Sequence, residues 1–183
     1  MKILLIANGI VGQKAESVAG GEVRLIEIAK RWVGDGHEVH LLSGAAGLDL
    51  CKRLGLKVVG HEIAEFGGDG GRFEFILRTL RLLGALPRSL DSFTEGIVVS
   101  ANEQLYDVLP GFVLKLKYRQ RVKWAVVVHW LPPVRFWRRR ESRLVNALLF
   151  LVSERASLLL ATILADRLLA VSPGTFRQLT SSI

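Results

Sequence analysis

The sequence predicts an α/β fold: a doubly wound, mostly parallel sheet with helices on both faces. Short apolar runs alternate along the chain with segments of helical periodicity, which is the order of parallel βαβ units. The length of 183 residues is enough for one domain with a core and short for two. No internal repeat or low-complexity linker divides the chain. We therefore expect a single Rossmann-like domain over residues 1–183.

The predicted strands are apolar runs bounded by turn residues, and several are apolar enough to be buried on both faces. The first, KILLIA, opens the chain, and GIVVS and WAVVVHW have the same character. The strands are expected at residues 2–7, 37–43, 56–64, 96–100 and 124–130, and in the closing run RLLA.

The helices are predicted from periodicity and caps. Between residues 22 and 33, the apolar side chains Leu25, Ile28, Ala29 and Trp32 recur at the i, i+3, i+4, i+7 spacing of one helix face. Ser172 as N-cap, with Pro173 in the first helical position, marks the start of the last helix. The remaining helices are expected at residues 48–54, 72–83 and 141–165, with a glycine loop at 67–71.

Positive charge is concentrated in one part of the chain. The net charge is +8, yet the basic segment, residues 115–143, contains ten basic residues against Glu141 alone and is therefore +9. It also holds Trp124, Trp130 and Trp137, three of the four tryptophans. A solvated face is the ordinary explanation of a charge run, but the imbalance favours an anionic partner: nucleic acid, an anionic membrane or a diphosphate-bearing acceptor.

Among these partners the membrane surface is favoured. Tryptophan and arginine together suit a lipid headgroup region, and no RNP, helix-turn-helix, KH or zinc motif supports nucleic-acid binding. The residues expected to bind membrane or acceptor are Lys115, Lys117, Arg119, Arg121, Lys123, Arg135, Trp137, Arg138, Arg139, Arg140 and Arg143.

Other features indicate a cytoplasmic protein. A single cysteine, Cys51, excludes an internal disulfide and fits a reducing compartment. No uninterrupted apolar run approaches the roughly 20 residues of a membrane span, and the opening run is too short for a signal peptide.

Two adjacent glycines, Gly20 and Gly21, stand where the first helix begins. The loop between a first strand and its helix is where doubly wound folds bind phosphate. A dinucleotide fingerprint is nevertheless absent, because the stretch NGIVGQKAESVAGG places fourteen residues where GxGxxG needs a tight turn, and no acidic residue ends the second strand. The glycines mark either a phosphate-binding turn or simply a flexible helix entry.

The chain resembles the N-terminal half of family 4 glycosyltransferases, which have the GT-B architecture of two facing Rossmann-like domains. The resemblance is carried by MKILLIANG, AGGEVRLIEIAKRWVGDGHEVHLLSG, VVSANE, WAVVVHWLPPVRFW and ADRLLAVSPGTFRQL, which extend over nearly the whole chain. It implies retaining transfer of a sugar, such as mannose or glucose, from a nucleotide-sugar donor to a lipid-linked or cell-surface glycan. It implies no metal and no other cofactor, and a peripheral place on the cytoplasmic membrane face.

The resemblance also implies roles for individual residues. Gly20 and Gly21 would lie against the donor diphosphate, and His129 would contact the donor sugar near the reacting carbon. The position of His129 at the end of a buried strand agrees with this, although a histidine there can also be satisfied by the backbone alone. Asn102, Glu103 and Ser172 lie at predicted strand ends and are further cleft candidates.

The family's nucleotide-recognising motif belongs to a C-terminal donor-binding domain that these 183 residues do not supply. We therefore expect the chain to be the acceptor-side domain and to be inactive alone. The alternative is a non-catalytic Rossmann-like module that binds anionic membrane or nucleic acid through the basic segment.

Overall fold

The computed structural model describes residues 1–8, 20–63, 90, 93–130 and 144–182. The strands are β1 (Lys2–Ile6), β2 (Glu38–Ser43), β3 (Val59–Glu62), β4 (Gly96–Ser100), β5 (Val122–Val128) and β6 (Arg167–Ala170). The helices are α1 (Gly20–Gly34), α2 (Ala45–Arg53), α3 (Leu105–Tyr118), α4 (Leu144–Leu164) and α5 (Pro173–Ser182), with a 3-10 turn at Arg119–Arg121.

The six strands form one sheet in the order β3-β2-β1-β4-β5-β6. Every neighbouring pair is parallel. This confirms the predicted doubly wound, parallel architecture. The strand order reverses between β1 and β4, and ligands of such sheets bind outside the carboxyl ends of the strands at this switch point.

The core lies on both faces of the sheet, which is why the strands are apolar without alternation. One face of β1, with Ile3 and Leu5, belongs to a cluster that includes Leu25 of α1 and Leu50 of α2. The other face belongs to a cluster with residues of α3 and α4 and with Trp124. Cys51 is buried in the first cluster, and burial raises the pKa of its thiol to about 11.

Several predicted elements are confirmed almost to the residue. Strand β4 covers the predicted residues 96–100. Ser172 caps α5, since its Oγ accepts the backbone N–H of Thr175 at 3.1 Å, and Pro173 begins the helix. Strand β5 is displaced toward the N-terminus and ends at Val128, so His129 directly follows it. The predicted loop at 67–71 and helix at 72–83 lie outside the described residues.

Helix α3 was not predicted, because Pro110 and Gly111 interrupt the pattern and the end of the segment alternates between apolar and basic residues. Both interrupting residues have a tertiary use. Proline has no N–H to donate to the carbonyl four residues earlier. That carbonyl, of Tyr106, instead accepts the side-chain amide of Asn8 at 2.9 Å. Gly111 lies directly against the indole of Trp124.

The basic segment is not a single surface, and two of its residues correct the sequence analysis. Trp124 is only 1% exposed and lies in the core, so it is not available to contact a membrane or another anionic partner. Lys115 lies inside a bonded group, where its Nζ donates to the carbonyl of Val122 at 2.9 Å and to Asp166 at 2.7 Å. Because this ammonium joins α3 to the strands β5 and β6, it is removed from the predicted membrane-binding set.

Asp166 completes this junction by also accepting the backbone N–H of Trp124 at 2.8 Å. Burial would raise the pKa of Asp166, but the hydrogen bonds from Lys115 and Trp124, with the charges of Lys115 and Lys123, lower it. The carboxylate is therefore ionised at neutral pH, as its two hydrogen bonds and its two neighbouring ammonium groups favour.

Candidate functional site

The candidate site lies at the carboxyl edge of the sheet, where three neighbouring strands end. Asn8 follows β1, residues 101–103 follow β4, and His129 follows β5. Because parallel strands end at one edge, side chains that are far apart in sequence meet there. Helix α1 begins at the same edge.

Gly21 and His129 are in direct contact. A Cβ placed on Gly21 would lie 2.9 Å from Cε1 and 3.3 Å from Nδ1 of the His129 ring, closer than side chains normally approach. Only glycine therefore fits at this position without displacing the histidine. The structure thus brings together two residues that the sequence analysis named separately; their roles toward a donor stay predictions.

The glycines differ from expectation in one respect. Gly20 and Gly21 are the first two residues of α1, whereas the helix was expected to begin at residue 22. Backbone N–H groups in the first turn of a helix have no acceptor within the helix, and they lie at the positive end of its dipole. With glycine at both positions, this turn offers bare backbone next to the imidazole.

His129 is held by three contacts. Its backbone N–H donates to Glu103 Oε2 at 2.8 Å, its carbonyl accepts the hydroxyl of Thr175 at 3.1 Å, and its Nε2 is 2.9 Å from the carbonyl oxygen of Ala101. A carbonyl can only accept, so Nε2 carries the ring proton in this contact. Within the described part of the chain Nδ1, on the Gly21 side, has no hydrogen-bond partner.

Glu103 supports the histidine. It is 6% exposed, and its two carboxylate oxygens accept the backbone N–H groups of His129, at 2.8 Å, and of Trp130, at 3.3 Å. The sequence predicts Glu103 as a cleft residue, but in the structure both of its carboxylate oxygens accept backbone N–H groups of the chain. Glu103 therefore orients the segment that carries the imidazole.

Glu154, from the middle of α4, is a buried acid that the sequence analysis did not name. It is 2% exposed, and its Oε1 has no hydrogen-bond partner among the described residues. Burial, and to a lesser extent the negative charge of Glu103, raises its pKa to about 8. One turn later, the Ser157 hydroxyl donates to the backbone carbonyl of Glu103, tying α4 to the same loop. The signal in the sequence was a single acid in a largely apolar helix.

Asn8 is the second residue that sequence reasoning missed. Its backbone N–H donates to Asp107 Oδ1 at 2.7 Å, and its side-chain amide donates to the Tyr106 carbonyl. These bonds bind the end of β1 to the first turns of α3. The side-chain oxygen of Asn8 is buried and lacks a partner within the described ranges.

The other two cleft candidates are engaged locally. The Asn102 side-chain oxygen accepts the backbone N–H of Gln104 at 2.8 Å, in the turn that precedes α3. Ser172 uses its hydroxyl to cap α5. Both lie near the carboxyl edge, and both have a structural explanation that needs no ligand.

Three further histidines received no function in the sequence analysis, and two of them form a pair. His40 of β2 and His61 of β3 lie side by side, with His40 Nδ1 at 2.9 Å from His61 Nε2. The other nitrogen of His40 is 2.9 Å from a carboxylate oxygen of Glu38. This pair links β2 to β3, which lie on the far side of β1 from the switch point.

The described cations Arg119, Arg121 and Lys123 of the basic segment lie at the opposite edge of the sheet from His129. The turn Arg119–Arg121 precedes β5, and Lys123 is the second residue of that strand. His129, in contrast, follows the last residue of β5. A strand of seven residues at about 3.3 Å each spans roughly 20 Å. These cations therefore do not share a ligand with His129. The predicted binding residues Arg135, Trp137, Arg138, Arg139, Arg140 and Arg143 lie outside the described residues.

Among the described residues, no helix combines the length and the hydropathy that a membrane span requires. In the same ranges, no group of three or more His, Cys, Asp or Glu side chains is arranged to hold a metal ion.

No family model matches the chain, and no curated protein matches it. Among solved structures, it is similar to MurG from Acinetobacter baumannii, with 14% identity and a TM-score of 0.47. The similarity covers 96% of this chain and 43% of MurG, so the chain spans less than half of that protein. The fold assignment rests on the strand order itself.

Proposed function

We propose that this chain is the acceptor-side, N-terminal domain of a GT-B glycosyltransferase related to family 4. It would transfer a sugar with retention from a nucleotide-sugar donor to a lipid-linked or cell-surface glycan. The observation that carries the proposal is the contact between Gly21, in the first turn of α1, and the ring of His129.

This contact places an anion-binding helix start next to a hydrogen-bonding side chain. The start of a helix favours anions through its free N–H groups and its dipole, and glycine lets a diphosphate approach the backbone closely. The bare Nδ1 of His129 can accept a hydrogen bond, and a sugar hydroxyl can donate one to it. A ligand that satisfies both neighbours carries a diphosphate and a sugar, which is the composition of a nucleotide-sugar.

The proposal assigns the nucleotide and the rest of the catalytic machinery to a second, donor-binding domain. A sugar held at the switch-point edge lies between the two domains of the GT-B architecture. The chain supplies the acceptor side and the His129 contact, and neither a metal nor another cofactor enters the proposal.

Replacing Gly21 by alanine in the protein together with its donor-binding domain is expected to lower sugar transfer by about tenfold to a hundredfold. The new Cβ would displace the His129 ring, and misplacing a reacting contact by about 1 Å has costs of this size. Transfer of radiolabel from UDP-glucose and GDP-mannose into solvent-extractable lipid measures the effect. His129→Ala should cause a similar loss.

Gly34→Ala is the matched control, because a Cβ at Gly34, at the other end of the same helix, would meet no neighbouring atom of the described residues within 4 Å. This variant should transfer sugar like the unmodified protein. Full activity in a folded Gly21→Ala or His129→Ala protein would contradict the proposed site.

Peripheral membrane association is part of the proposal. Arg119, Arg121 and Lys123 are exposed at the amino edge of the sheet, and the apolar Leu116 beside them is 52% exposed. Exposed cations next to an apolar side chain suit an anionic lipid surface. The same cations suit nucleic acid, which is the non-catalytic alternative.

Arg121→Ser is expected to weaken binding to anionic vesicles about fivefold, since each basic residue near such a surface contributes about 1 kcal/mol. Co-sedimentation with phosphatidylglycerol vesicles, at several salt concentrations, measures this. Arg177→Ser makes the same charge change on α5 and should leave binding intact. Equal losses in both variants, or tighter binding to an oligonucleotide than to vesicles, would contradict membrane docking at this edge.

A further inference from the structure

Glu103 and Ala101 together determine which nitrogen of His129 is available to a ligand. We propose that Glu103 is the positioning residue of His129. By holding the backbone of His129, Glu103 keeps Nδ1 of the ring beside the first turn of α1. There Nδ1 accepts a hydrogen bond from a hydroxyl group of the bound sugar. The inference deepens the function proposed above and depends on it for the identity of the ligand.

The first step is the tautomer. The Ala101 carbonyl lies 2.9 Å from Nε2 and accepts its proton, so the neutral ring has its lone pair on Nδ1. Nδ1 lies on the Gly21 side, 3.3 Å from the position of a Cβ on that residue. Such a nitrogen cannot donate, and it selects a group that donates to it. Among the parts of a nucleotide-sugar, sugar hydroxyls meet this requirement, while ionised phosphate oxygens do not.

The second step is the orientation of the ring. The contact of the ring with Ala101 depends on where the His129 backbone lies, and Glu103 holds that backbone by accepting two successive N–H groups, of His129 and Trp130. Bonds from N–H groups to a carboxylate are about twice as strong as neutral ones. The burial of Glu103 strengthens them further, because the local dielectric is low.

The third step is the acid beside Glu103. A negative charge on Glu154 would repel the carboxylate that accepts the two N–H groups. Burial raises the pKa of Glu154 to about 8, so that acid is protonated at neutral pH. Glu154 therefore places no second negative charge next to Glu103.

The test is the tautomer of His129 in the 15N-labelled chain, from long-range 1H–15N correlations of its ring protons. The unmodified chain should show a protonated Nε2 and a bare Nδ1. In Glu103→Ala the ring should no longer show a single tautomer. In Glu103→Gln a larger share of the rings should keep it, because the amide oxygen of the glutamine still accepts one N–H. In the transfer assay, kcat should fall up to about a hundredfold in Glu103→Ala, with little change in the KM for acceptor.

Glu95→Ala is the control, since Glu95 is an exposed acid at the start of β4, at the opposite edge of the sheet. It should leave both the ring pattern and transfer unchanged. A protonated Nδ1 in the unmodified chain, or an unchanged pattern in both Glu103 variants, would overturn the positioning role. If the ring behaves as expected but the complete protein transfers no sugar, the proposed function and the sugar ligand fail while the positioning role stands.

Discussion

Replacing Glu154 by glutamine should make the protein more stable at alkaline pH and flatten the pH dependence of its stability. Glu154 is buried in α4, and burial, with the charge of Glu103, raises its pKa from 4.5 to about 8. Between these values the unfolded chain releases this proton and the folded chain keeps it. The carboxyl therefore stabilises the fold fully below pH 4.5, and its contribution is lost as the pH rises to about 8.

The size of the effect follows from this single proton. The free energy of unfolding should decline by about 1.4 kcal/mol per pH unit through this group, or about 3 kcal/mol between pH 5 and 7.5. Glutamine has nearly the same shape and cannot ionise. The stability of Glu154→Gln relative to the unmodified protein should therefore rise by that amount over this range.

Urea unfolding at a series of pH values from 5 to 9 measures the difference. Glu95→Gln provides the control, because an exposed acid of the same chemistry should give a curve parallel to that of the unmodified protein. In Glu103→Gln/Glu154→Gln, the effects of the two changes should not be additive, since each carboxyl influences the other. Parallel pH curves for Glu154→Gln and the unmodified protein would show that Glu154 ionises normally in the folded state.

Gly111→Ala is expected to destabilise the fold by about 3 kcal/mol, although alanine favours helices by about 1 kcal/mol over glycine. A Cβ at this position would overlap Nε1 of Trp124 and lie 2.6 Å from its Cε2. The indole is 1% exposed and donates to the Ser100 hydroxyl at 3.0 Å. Moving the ring would break that buried bond, which adds about 1–3 kcal/mol to the cost of overpacking.

Thermal and urea unfolding, followed by circular dichroism, measure this loss. Gly34→Ala is again the control, because its new Cβ would contact no neighbouring side chain or strand in the described part of the structure. Adding Trp124→Phe to Gly111→Ala should recover part of the lost stability, since the smaller ring leaves room for the methyl group. Equal stability of the two alanine variants would mean that α3 and β5 separate at little cost.

Local patterns were sufficient for the fold class and for several of its elements. The apolar run at residues 96–100 and the Ser172-Pro173 cap predicted their elements closely, since strand burial and helix capping depend on residues adjacent in sequence. The same reasoning did not predict helix α3. Pro110 and Gly111 oppose a helix locally, and the contacts that compensate, Asn8 with the Tyr106 carbonyl and Gly111 with Trp124, come from distant strands.

The amino-acid sequence by itself determined the parallel fold, and it singled out Gly21, His129 and Glu103 as residues to consider. Only the tertiary structure decided that Gly21 touches the His129 ring, that Glu103 holds the histidine rather than facing a cleft, and that Lys115 is tied to Asp166. The physical reason is distance along the chain. Periodicity and caps record neighbours, whereas side-chain pairing at a sheet edge depends on strand order, which no local pattern contains.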